Sequence, residues 1–141
     1  MSLVYWDTNL FIYLIQEHPQ YYPLLDQLAH RLAERGDTIC TSIFTRGEML
    51  VGPIKNDDRI TQQAVRDYLQ PPLVELLPFT LESTNHYARI RAANKVLPAD
   101  AIHLATAAAA RVDVFLTNDR SLHRMIVPGI QFVTGIDTDI F

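Results

Sequence analysis

Short apolar runs alternate along this chain with longer stretches of mixed polarity. Residues 3–6, 38–41, 73–77, 114–116 and 131–133 form brief runs enriched in β-branched or aromatic side chains, and each predicts a strand. The intervening segments 9–16, 21–35, 42–51, 58–69, 81–96 and 98–111 predict helices, with a further short one after Asp119. Leu24, Leu25, Leu28 and Leu32 recur at helical spacing, which makes the second of these an amphipathic helix with one face to bury. Gly36, Gly52-Pro53, Pro71-Pro72, Pro78 and Pro128-Gly129 punctuate the elements. Strands that alternate with helices predict an α/β domain around a parallel sheet.

Composition narrows the class. The 141 residues are 48% hydrophobic and 20% charged, the balance of a single globular domain spanning 1–141 rather than of a disordered, fibrous or coiled-coil chain. The most apolar stretch, residues 99–110, is interrupted by Asp100, His103 and Thr106 and is shorter than the ~20 residues of a membrane span. The N-terminus lacks the basic region and cleavage site of a signal peptide. The single cysteine, Cys40, lies in an apolar run and reads as a buried thiol, and a cytoplasmic setting is expected.

Charge removes the simplest nucleic-acid reading. Twelve Lys and Arg against sixteen Asp and Glu leave a net charge of −4, the reverse of a basic binding footprint. The acids repay attention because ligands in open parallel sheets bind beyond the carboxyl ends of the strands. Asp7 follows the first predicted strand and Asp119 the fourth, each before a helix, while Glu48 lies in the helix after the second strand and Asp100 in the first turn of the helix opened by Pro98. Without these four the balance is twelve against twelve.

Every one of the four also has an ordinary structural explanation. Asp7 and Asp119 can cap the helices that follow them, and Asp100 can complement a helix dipole. Glu48 completes Thr45-Arg46-Gly47-Glu48, a capping box if its helix begins at Thr45. Their common placement at element starts favours a cluster, and clustered carboxylates repel unless cations neutralise them. All-oxygen ligands suit Mg²⁺ or Mn²⁺, whereas the five scattered histidines and lone cysteine give no zinc spacing. His103, three residues after Asp100, suits a supporting role rather than a ligand. A receiver domain would also gather acids at strand ends, but it expects a late Lys, and none follows Lys95.

Asp7-Thr8-Asn9-Leu10-Phe11, Glu48, Pro98-Ala99-Asp100-Ala101-Ile102-His103-Leu104-Ala105-Thr106-Ala107 and Leu116-Thr117-Asn118-Asp119 together resemble the PIN-domain family. Within it they are similar to VapC-type ribonuclease toxins of prokaryotic toxin–antitoxin pairs. One departure is Leu122, where the family often carries Phe. The resemblance implies a three-layer α/β/α sandwich with a central parallel sheet and a Mg²⁺- or Mn²⁺-dependent endoribonuclease. By it, Asp7, Glu48, Asp100 and Asp119 are the metal-binding catalytic residues, and Asn9 and Thr117 orient them. It further implies an RNA substrate, a homodimer and inhibition by a small antitoxin. A non-catalytic PIN-like module that binds RNA or protein, and a stand-alone RNA-processing nuclease, are the alternatives.

Overall fold

The computed structural model of the chain describes residues 1–139 and 141. Five strands, β1 (Leu3–Trp6), β2 (Thr38–Ser42), β3 (Glu75–Leu77), β4 (Val114–Leu116) and β5 (Phe132–Thr134), form one sheet in the order β3-β2-β1-β4-β5. Every neighbouring pair is parallel. Six α-helices connect them: α1 (Thr8–Ile15), α2 (Tyr22–Arg35), α3 (Ile43–Lys55), α4 (Arg59–Tyr68), α5 (Leu81–Ala93) and α6 (Pro98–Ala109). The element after Asp119 is a single 3₁₀ turn, Arg120–Leu122.

Strand alternation sorts the core into two halves. Val4 and Trp6 of β1, with Val114 and Leu116 of β4, pack against Leu10 and Phe11 of α1, Leu25, Leu28 and Leu32 of α2, Met49 of α3 and Val65 of α4. Tyr5, Cys40 and Phe115 point the other way, toward Ile90 of α5 and Leu104, Ala105 and Ala108 of α6. Helices therefore cover both faces of the sheet, giving the three-layer α/β/α sandwich. Among the described residues no helix is long and apolar enough to cross a membrane.

Two boundaries depart from expectation in ways that matter. α3 begins at Ile43, with the Ser42 hydroxyl accepting from the Phe44 N–H, so Glu48 lies inside the helix and the capping box at Thr45 does not exist. The same helix runs through Gly52-Pro53 to Lys55 instead of stopping at Val51. Proline removes one helical donor, and the Pro53 carbonyl is occupied by the Asp58 N–H, so the last turn is tied to the start of α4. The expected strand at 73–77 shortens to Glu75–Leu77 because residues 71–73 form a turn.

Candidate active site at the carboxyl edge of the sheet

The chain passes from β1 outward through β2 and β3, then returns to build β4 and β5 on the other side of β1. This reversal leaves a crevice between the carboxyl ends of β1 and β4, where a doubly wound sheet binds its ligands. Asp7 leaves β1 there, its N–H donating to the Leu116 carbonyl at 3.0 Å. Its carboxylate is buried, with 6% exposure. One oxygen caps α1 by accepting from the Thr8 N–H at 2.9 Å, and the other accepts from the Thr117 hydroxyl at 2.8 Å.

Thr117, fully buried after β4, serves a second acid as well. Its oxygen accepts from the Asp119 N–H at 3.0 Å, while the Asp119 carboxylate caps the following turn through the Ser121 N–H and hydroxyl. The His123 ring donates from Nε2 to the Thr117 carbonyl at 2.8 Å and pins the same turn. Capping and membership of the cluster are thus not alternatives for Asp7 and Asp119: each does the first while standing in the second.

Glu48 comes from α3 on one side of the sheet and His103 from α6 on the other, and they meet over its edge. His103 Nε2 donates to Glu48 Oε1 at 2.7 Å, and the Thr8 hydroxyl donates to the same oxygen at 2.8 Å. Behind the imidazole, the Tyr5 hydroxyl donates to Nδ1 at 2.7 Å and accepts from the Ser42 N–H. Burial pushes the Tyr5 hydroxyl far above its ordinary range, so it keeps its proton. Burial also pushes Glu48 upward, but the hydrogen bonds from His103 and Thr8 and the attraction of His103 outweigh it and hold the carboxyl below its ordinary value.

Asp100, in the first turn of α6, shifts the opposite way. Partial burial raises its pKa, and repulsion from Asp7, Asp119 and Glu48 adds to the rise against a smaller attraction from His103. The fold therefore gathers all four acids within electrostatic reach. Among the described residues no Lys or Arg pairs with any of them. Nor do any three His, Cys, Asp or Glu side chains stand close enough to clasp one ion directly. An all-oxygen set that no Lys or Arg neutralises has the donor chemistry of a hard cation held partly through its waters, the habit of Mg²⁺.

Of the two supporting residues expected from the sequence, Thr117 contacts the acids, whereas Asn9 is exposed and makes no side-chain hydrogen bond among the described residues. Thr8 stands beside Glu48 instead. Sequence reasoning missed Thr8 and Tyr5. The second lies inside a strand whose inward residues are otherwise apolar, and nothing local marks it.

The PIN domain family profile matches residues 4–127. The chain belongs to the PIN domain family. A search of curated proteins finds no match. Among solved structures the PIN chain is similar to DNA-bound VapBC from Salmonella typhimurium, with 23% identity over 96% of this chain and 99% of that one and a TM-score of 0.76. VapBC2 from Rickettsia felis, bound to a promoter DNA fragment, shares 22% identity over 94% and 98% with a TM-score of 0.72. VapBC-5 from Mycobacterium tuberculosis shares 19% over 94% and 98%, with a TM-score of 0.62. At these identities the likeness establishes the fold.

Proposed function

We propose that this PIN domain is a Mg²⁺- or Mn²⁺-dependent endoribonuclease and the toxin of a VapBC-type toxin–antitoxin pair. The observation that carries the nuclease reading is the convergence of the four acids at one sheet edge with no Lys or Arg among the described residues paired to them, where partial burial, and then repulsion from Asp7, Asp119 and Glu48, raise the pKa of Asp100. PIN domains are generally nucleases, and the toxin reading is supported by neighbours that are toxin–antitoxin systems. A small antitoxin partner and a homodimeric state belong to the same reading.

In it Asp7, Asp100, Asp119 and Glu48 hold the cation. When bound, a divalent ion supplies a water of lowered pKa for attack on the phosphodiester and offsets charge on the phosphate. The protein's own residues fix the geometry. Thr117 locks the Asp7 carboxylate and the Asp119 backbone to one point. His103 and Thr8 keep Glu48 ionised and aimed. No protein nucleophile is needed.

Incubation of structured RNAs with Mn²⁺ should yield cleavage by the wild type and a loss of at least ~100-fold with Asp7→Asn and Asp100→Asn. Equal cleavage by all three proteins rejects the reading. If isothermal titration shows no divalent binding while RNA binding persists, the chain is a non-catalytic RNA-binding module. A short upstream reading frame encoding a DNA-binding partner is the expected genetic context of the toxin.

A further inference from the structure

A cavity of about 570 Å³ adjoins the turn that carries Asp119; none of the four acids lines it, and its chemistry differs from theirs. Asn118 and Arg120, the residues on either side of Asp119, form part of its wall, so the cavity and the acids share one turn of chain. Arg124 adds a second cation. Both arginines are exposed, and neither forms an ion pair among the described residues. In a chain with net charge −4, two unpaired guanidinium groups at the rim of an acidic site are a local reversal of sign.

The lining also includes an aromatic side chain. Tyr21 lines the cavity, and its ring is braced by two neighbours, stacked on His18 at 4.7 Å and 24° and tilted against Tyr13 at 4.7 Å. The Asn118 amide donates to the Tyr13 hydroxyl, which couples this aromatic group to the turn bearing Asp119. Asp137 is the one carboxylate on the wall. Gly135 allows it to lie close: a Cβ there would stand 2.8 Å from Asp137 Oδ1 and 2.9 Å from the His123 ring.

We infer that this cavity is a subsite for one nucleotide of single-stranded RNA adjacent to the phosphodiester to be cut. Planar guanidinium groups match phosphate oxygens, a braced aromatic face accepts a base by stacking, and a lone carboxylate suits a ribose hydroxyl, the group that separates RNA from DNA. A duplex does not fit, because its bases are stacked on one another and cannot reach Tyr21. The inference rests on the reading of the acid cluster as an RNA-cleaving centre, to which it adds the place where the strand is held.

Binding of a fluorescent single-stranded oligoribonucleotide, measured by anisotropy in EDTA so that no cleavage intervenes, tests it. Arg120→Ala combined with Arg124→Ala should weaken binding at least ~10-fold and reduce the salt dependence by about 0.7 per arginine in log–log slope. Tyr21→Leu should weaken it without changing that slope. Arg89→Ala, an exposed arginine that lines a different cavity, is the equal-charge control and should leave binding unchanged. Circular dichroism and melting of each variant verify folding. Wild-type binding that is absent, or a double variant that binds no more weakly than Arg89→Ala, overturns the subsite. If the arginine dependence holds while wild-type protein with Mn²⁺ cuts no RNA, the subsite stands and the nuclease reading falls.

Discussion

Thr117 holds two of the four acids with one hydroxyl, donating to Asp7 and accepting from the Asp119 N–H. The bond to Asp7 is buried and the one from the Asp119 N–H is partly buried. Thr117→Val keeps the shape and removes both, leaving a buried carboxylate oxygen and an N–H without partners, a loss of roughly 1–3 kcal/mol in stability. The larger expected effect is on the site. Partners that orient metal ligands typically carry about 10–100-fold in affinity, so titration of Thr117→Val with Mn²⁺ should show a loss of that order. Unchanged affinity would mean that the acids need no such support.

At the scale of elements, the site depends on where helices start and how the two layers meet. Glu48 reaches His103 only because α3 begins at Ile43, capped by Ser42 directly off β2, which places Glu48 on the second turn above the sheet edge. Had the helix begun at Thr45, the same glutamate would have turned back to cap it. α6 in turn is fixed at its far end by the loop at Pro128-Gly129. Gly129 has φ +101°, and a Cβ there would stand 2.6 Å from the Ala108 carbonyl oxygen. Left-handed strain alone costs ~1–3 kcal/mol, so Gly129→Ala should lower the Tm by roughly 3 °C or more. A thermal melt in EDTA checks this, and an unchanged Tm would show that the loop moves away freely.

Across the whole molecule, the fold concentrates its excess charge at one sheet edge, and this carries a thermodynamic sign. Asp100 has a raised pKa, so between its ordinary value and the raised one the folded state binds more protons than the unfolded, and its contribution to stability falls as pH rises. Glu48 has a lowered pKa, so its stabilising contribution is present above the ordinary value and is lost as pH falls through the lowered one. At neutral pH, ionised Asp100 is therefore a cost to the metal-free fold. Asp100→Asn should raise the Tm in EDTA at pH 7, whereas Mn²⁺ should raise the Tm of the wild type and do little for the variant. Differential scanning calorimetry with and without Mn²⁺ reads both; a variant that melts below the wild type in EDTA would contradict the charge argument.

The hydrophobic rhythm by itself determined the parallel α/β class and the six helices, because strand and helix periods are local properties. It also marked Asp7, Asp100 and Asp119, since each directly follows a strand or opens a helix. The end of α3 was not readable, because tertiary packing against α4 overrides the local signal of Gly52-Pro53. Nor was the pairing of Glu48 with His103, 55 residues away on the opposite layer, or the part of Tyr5, whose partner is 98 residues away. Strand order alone set β1 beside β4 and brought Asp7 to Thr117 across 110 residues. Local sequence thus chose the groups that carry charge, and only long-range packing decided which of them share a proton, a hydroxyl or a cavity.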